Sequence, residues 1–244
     1  MSVPNVLAIG SCRIFRPLRH LHESQSIKLI NHGSHQWFTH TAASAVQYAD
    51  LVQGKASLPD ALRPAILETE MTLPHNLFFE FPRPDLVVVE VSTLKEHRLD
   101  GYSLNAHKVY GMAVDEGVPY RAVINGQTGD LPTTHVLKTM SVRYASASEV
   151  EAQLLYLRQE LKAPLLTVDH LYTESEDGSP IPERTKVSSI LAGLESTHGM
   201  AYYPTKDLIV AAGLEVALQD QNHYRPNFES LVAAEMLTRM KQVL

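Results

Sequence analysis

Cysteine is nearly absent: the 244-residue chain has one, Cys12, and it has a single tryptophan, Trp37. One cysteine cannot close an internal disulfide, so the fold rests on its core and nothing marks an oxidising compartment. Long apolar runs are missing too, which leaves no candidate membrane span or signal h-region. The start, Met1-Ser2-Val3-Pro4-Asn5, lacks a positive n-region, so a cytoplasmic location is the expectation. A basic run is likewise missing: 21 Lys and Arg face 27 Asp and Glu, a net charge of -6, and no nucleic-acid partner is expected. Gly10 has no companion glycines downstream, which argues against a phosphate loop or a dinucleotide fingerprint.

Hydrophobic residues make up 44% of the chain, enough for a sizeable core at this length. Short apolar, often β-branched runs at 6–9, 27–30, 86–91 and 165–168, with a weaker one at 201–203, alternate with amphipathic segments. That alternation predicts an α/β fold, a three-layer sandwich around a mostly parallel central sheet. Helices are predicted at 41–52 and 59–70. Another opens on a Ser148/Glu151 capping box and carries Val150, Leu154, Leu157 and Leu161 until Pro164. The last follows Pro226 with the stripe Phe228, Leu231, Val232, Met236, Leu237 and Met240. Residues 93–147 lack periodicity and read as an insertion with short helices or a hairpin, and the acidic stretch 174–180 reads as a solvated turn. Neither a repeat nor a linker divides the chain, so one domain over 1–244 is expected.

Two stretches carry chemistry. In Val6-Leu7-Ala8-Ile9-Gly10-Ser11-Cys12-Arg13 an apolar strand breaks at glycine into a nucleophilic residue, the way α/β hydrolytic folds present a nucleophile. Ser11 is the alternative nucleophile, and a small buried residue is the plain alternative for Cys12. In Asp220-Gln221-Asn222-His223 the spacing lets the Asp220 carboxylate accept from His223 Nδ1–H in a loop or incipient helical turn, leaving Nε2 to take a proton. Both stretches would meet at the carboxyl edge of the sheet.

The arrangement resembles the SGNH (GDSL-like) hydrolase superfamily, with Gly10-Ser11-Cys12 in place of Gly-Asp-Ser and Asp220-Gln221-Asn222-His223 matching the terminal Asp-x-x-His block. Within it, Gly-Ser-Cys looks most like the GSCFA-type proteins and the WcbI-like polysaccharide-biosynthesis acetyltransferases. The resemblance implies an SGNH/flavodoxin-like sheet and a Cys12, His223, Asp220 triad. It further implies acyl transfer through a thioester, from acetyl-CoA or another acyl-CoA to a sugar hydroxyl. No permanently bound cofactor is implied. Ester hydrolysis of an acylated carbohydrate and non-catalytic binding of a carbohydrate or CoA are the alternatives. The oxyanion donors it implies fall on Cys12 itself, Gly33 and Ser92, since no Gly-x-Asn-Asp follows the 86–91 strand.

Position singles out further residues. Arg13 and Arg16 lie beside Cys12, where they would favour its thiolate or bind an anionic group, with Arg19 a weaker third and Pro17 as the first residue of a helix; a solvated helix face or structural ion pairs are the equal alternative. Trp37 would stack on a substrate at the site mouth. Lys95, with Glu96, His97, Tyr102 and Asn105, and Tyr224, with Arg225, are substrate contacts by position. His32, His35 and His40 cluster near Trp37 without zinc-type spacing, so no metal site is expected.

Overall fold

The computed structural model describes residues 3–33, 35–67 and 77–244. The chain opens with β1 (Asn5–Ile9), and at Gly10 it turns directly into α1 (Cys12–Glu23). That helix starts five residues earlier than Pro17 suggested: Ser11 is its N-cap, and Pro17 lies inside it on the buried side. The expected strand at 27–30 is reduced to β2 (Lys28–Leu29). Next comes α2 (Ala42–Val52), started by a reciprocal Thr41/Ser44 capping box. The helix expected at 59–70 is a 3-10 turn, Asp60–Leu62, and a short α3 (Arg63–Ile66); residues 68–70 fall outside the described chain.

The run expected at 86–91 forms β3 (Leu86–Glu90), buried throughout. Residues 93–147 hold both short helices and a sheet: β4 (Lys95–Leu99), β5 (Tyr102–Ser103), α4 (Ala106–Asp115), α5 (Tyr120–Ile124) and β6 (Ser141–Tyr144), with β4 pairing antiparallel to both β5 and β6. Helix α6 (Ala147–Leu161) starts from a capping box of Ser146 with Glu149, two residues before the expected pair, because Ser146 is the residue in extended conformation. Its Val150, Leu154, Leu157 and Leu161 are buried as the spacing required. Then follow β7 (Leu165–Val168), α7 (Pro182–His198), β8 (Ala201–Tyr203), α8 (Thr205–Ala212), α9 (Leu214–Ala217), β9 (Leu218–Asp220), β10 (His223–Tyr224) and α10 (Glu229–Lys241). In α10, Val232, Met236 and Met240 are buried, while Leu231 faces solvent at 44% exposure. The acidic stretch is a turn closed by a Glu174–Pro180 bridge, with Asp177 accepting from Ser175 and Ser179.

Strands β2, β1, β3, β7 and β8 form one sheet in that order, every pair parallel. Successive side chains of a strand point to opposite faces, and both faces here are covered. Leu7, Ile9, Val87 and Val89 join a core with Tyr48, Leu51, Leu154, Leu157 and Leu191 from α2, α6 and α7. Val6, Ala8, Leu86 and Val88 join a second with Ile14, Leu18, Val232 and Met236 from α1 and α10. Each fully buried aliphatic side chain contributes about 2 kcal/mol. The three-layer sandwich with a mostly parallel sheet is therefore the fold, and no helix among the described residues is long and apolar enough to cross a membrane. The chain reverses its direction of travel across the sheet at β1, so the crevice between the carboxyl ends of β1 and β3 is the topological switch point, where such sheets bind ligands.

Candidate active site

At the switch point a buried carboxylate organises the Gly10–Arg13 loop. Glu90, fully buried at the end of β3, takes the Ser11 N–H and the Ser11 hydroxyl on Oε2, both at 2.7 Å. Its Oε1 takes Arg13 Nε at 2.6 Å. The Ser11 oxygen also accepts the Arg13 N–H at 3.4 Å as the cap of α1. Gly10 is required by the close approach beneath: a Cβ there would lie 2.7 Å from Glu90 Cβ and 2.6 Å from Ile14 Cδ1. Ser11, Cys12 and Arg13 all border the cavity, and with Ser11 and Arg13 bonded to Glu90, Cys12, the first residue of α1, is the side chain of this loop left as candidate nucleophile. As a first-turn residue its N–H has no partner within the helix.

The far end of the chain holds the candidate base. Asp220 and His223 face each other across the tight β9–β10 hairpin, not along a helical turn. His223 Nδ1–H donates to both Asp220 oxygens at 2.9 Å, and the Asn222 N–H donates to Oδ1 at 2.6 Å. That fixes Nε2 as the free lone pair. Arg184 on α7 pins the hairpin, donating to Gln221 O at 2.8 Å, to Asn222 Oδ1 at 3.2 Å and to Leu171 O at 2.9 Å. Cys12, Ser92, His170, Asn222 and His223 line one cavity of about 560 Å³ at the sheet's carboxyl edge. Cys12 and His223 share it without a direct hydrogen bond; general-base contacts are commonly long in ligand-free enzymes and tighten in the complex.

A family model described as the TviD N-terminal domain matches residues 4–119 and 120–239. The chain belongs to that family. Among solved structures it is similar to LAE5, an alpha/beta hydrolase enzyme from the metagenome of Lake Arreo, Spain, at 11% identity over 100% of this chain and 98% of that one, TM-score 0.51. It is also similar to the psychrotrophic esterase EstA from Pseudoalteromonas sp., at 13% identity over 98% and 97% of the two chains, TM-score 0.45. AlinE4, an SGNH-hydrolase family esterase, is 16% identical over 100% and 98%, TM-score 0.39. No curated protein matches the chain. The likeness to LAE5 is one of fold, and it agrees with the sheet described above.

Within this family member the other singled-out residues divide. Arg13 lines the cavity, but its guanidinium is paired with Glu90, Nη2 to Oε1 at 2.5 Å. Arg16 reaches Glu229 on α10 at 3.2 Å, so both arginines are engaged in ion pairs, Arg16 with its side chain still about half exposed. Ser92 sits in the cavity wall, yet its N–H donates to His40 O at 2.8 Å and its hydroxyl to the same oxygen at 3.2 Å, so it is not an open oxyanion donor. Gly33 lies in an exposed turn outside the cavity wall, with a φ of 74°. Trp37 is not at the mouth; it is 2% exposed and packs on Tyr48, ring centroids 4.5 Å apart. Trp37 and Lys95 instead border a neighbouring cavity of about 160 Å³, where Lys95 Nζ donates to Asn125 at 2.7 Å. Tyr224 is buried against Phe228 and belongs to the α10 core. Among the described residues no group of three His, Cys, Asp or Glu side chains is placed to hold a metal ion. His35 stacks on Phe79, and His40 contacts Arg13 Nη2 at 3.3 Å through Nδ1.

The electrostatics change the picture of the nucleophile. Burial pushes the Cys12 thiol above its ordinary 9.0; Arg13 pulls it down, but the Glu90 carboxylate that neutralises Arg13 pushes it up again. Cys12 thus rests as a thiol, not as the thiolate that nearby arginines suggested, so any attack by it would need a base to take its proton. Iodoacetamide alkylation of Cys12 is therefore expected to keep rising with pH through and beyond 9.0, because only the thiolate reacts. A rate already level at pH 7 would contradict this. Asp220 is held below its usual range: slight burial raises it, but the Asn222 N–H and His223 outweigh that. Glu90, Arg184 and His170 were not singled out from the sequence. A signal existed for Glu90, the one carboxylate closing an otherwise apolar buried run.

Proposed function

We propose that the chain is an acyltransferase working through a thioester on Cys12, with 1–244 acting as one catalytic unit because the nucleophile and its base come from opposite ends. The observation that carries this is the shared cavity at the switch point, with Cys12 at the start of α1 on one wall and the Asp220-oriented His223 on another. Cys12 Sγ attacks the acyl carbonyl carbon while His223 Nε2 takes the thiol proton. The C–S bond forms, and the carbonyl π pair moves onto oxygen, met by the Cys12 N–H at the positive end of α1. Collapse restores C=O, breaks the bond to the leaving group and hands it the proton from His223. An acceptor hydroxyl then attacks the thioester, His223 takes its proton, and the C–S bond breaks with sulfur reprotonated.

An acyl-CoA suits the first half-reaction, since one thioester exchanges for another at little cost. It would be a co-substrate and not a resident cofactor. The acceptor is a small molecule or a carbohydrate, as the SGNH and WcbI-like resemblance implies. Ester hydrolysis is the second reading, and one observation favours it: the His223 and Asp220 side chains are 43% and 49% exposed, so water reaches the base.

The test is CoA release from acetyl-CoA with and without a polyol acceptor. Release that rises with acceptor supports transfer, acceptor-independent release supports hydrolysis, and no release from thioester or activated ester donors contradicts both. Asp220→Asn is expected to lower the acylation rate roughly 10²- to 10⁴-fold, since an amide no longer holds the Nδ1–H tautomer or stabilises the imidazolium. Stopped-flow nitrophenolate release from an acetyl ester measures it, and an unchanged rate would remove Asp220 from the mechanism.

A further inference from the structure

His170 follows β7 at the carboxyl edge and stands between two cavities, lining both the one with Cys12 and His223 and a second of about 310 Å³. Its Nδ1 lies 3.3 Å from Leu171 O. A carbonyl only accepts, so Nδ1 carries the proton and Nε2 carries the lone pair. Nε2 has no partner among the described residues. The wall of the second cavity is mostly apolar, with Thr173, Thr185, Ser189, Lys206 and Asp207 as its polar points.

We infer that His170 is a specificity residue for the acyl acceptor: its Nε2 accepts a hydrogen bond from an O–H or N–H next to the reacting hydroxyl, so the site selects vicinal diols or amino alcohols over simple alcohols. The inference rests on the thioester reading above. Three features of the site support it. The tautomer leaves an acceptor and no donor. Burial, then the positive charges of Arg13 and Arg184, hold the imidazole well below its ordinary 6.5, so it stays an acceptor at working pH. The adjoining cavity, an apolar wall set with hydroxyl and charged groups, gives the rest of a hydroxylated acceptor a place to lie. An acceptor lacking the second donor leaves a half-buried lone pair unpaired, which costs binding in the transition state.

The experiment isolates the acetylated enzyme and measures how it partitions between 1,2-propanediol and 1-propanol. After the factor of two for two hydroxyls, the diol is expected to be preferred roughly tenfold to hundredfold. His170→Phe, which keeps a ring but no acceptor, is expected to bring the ratio to about 1. His170→Gln, which restores an acceptor oxygen, is expected to recover part of the preference. The ratio is independent of how much of each variant is folded, and a purely structural role would lower both rates and leave it unchanged. A wild-type ratio of about 1, or an undiminished ratio in His170→Phe, overturns the inference while the thioester reading stands. Failure to isolate any acetylated wild type overturns the thioester reading itself.

Discussion

Cys12→Ala is expected to lower acyl transfer by on the order of 10⁵-fold, the scale on which loss of a nucleophile acts when base and oxyanion donors remain. Two structural facts make the loss this deep. Ser11, the neighbouring hydroxyl, is 1% exposed and is used up as the cap of α1 and as a donor to Glu90, so it cannot replace the thiol. His223 keeps its own partner, Asp220, in the variant and is left with nothing to deprotonate except water. Ser11→Ala should behave differently: it removes a helix cap worth roughly 0.5–2 kcal/mol and a donor to Glu90, but the protein should still acylate. Rates of CoA release for the two variants, beside thermal melts, separate these roles. A Cys12→Ala protein with wild-type turnover, or a Ser11→Ala protein that is folded and inert, would reverse the assignment.

Glu90→Ala is expected to have the largest effect on stability. Glu90 is fully buried and Arg13 is 9% exposed, so removing the carboxylate strands a buried guanidinium and leaves the Ser11 N–H and hydroxyl without their acceptor. Breaking such a pair from one side costs about 3–5 kcal/mol. For a chain of this size that is a fall in Tm of roughly 6 to 20 °C. The activity of whatever remains folded should fall too, because the same carboxylate fixes the turn that presents Cys12. Calorimetry reads the first effect and acylation of the folded fraction the second. A Glu90→Ala protein with an unchanged Tm would mean the network is not what anchors the loop.

Much of this was legible in the sequence where local pattern and tertiary outcome agree. The 86–91 run became β3 because a continuous β-branched segment has both faces to bury, and Val150, Leu154, Leu157 and Leu161 landed in the core because helical spacing puts them on one face. Gly10-Ser11-Cys12 and Asp220 with His223 stood out for their residue types, and the fold brings Cys12 and His223 to one cavity. What escaped depends on contacts far apart in the chain. The β4–β5–β6 sheet pairs residues 95–98 with 141–144, and β6 is largely exposed, so neither strand carries a local signature. Trp37 was assigned by its chemistry to a mouth, whereas Tyr48 and the core claim its large apolar surface. That Arg13 and Arg16 form structural ion pairs was one of the open readings, but their partners, Glu90 and Glu229, could not be named because they lie 77 and 213 residues away. His170 carries the same positional signal that singled out Lys95, a polar residue just past a central strand, but His170 lines the Cys12 cavity whereas Lys95 borders the neighbouring one.

The central claim, that the acyl group rests on Cys12, is tested most directly by mapping the adduct. Wild-type protein mixed with acetyl-CoA, quenched in acid and digested should yield one acetylated peptide, the one containing Cys12, with the group released by hydroxylamine at neutral pH as a thioester is. Turnover of acetyl-CoA with the acetyl group found on Ser11 or another residue, or with no adduct on Cys12 at any quench time and Cys12→Ala as active as wild type, would contradict it.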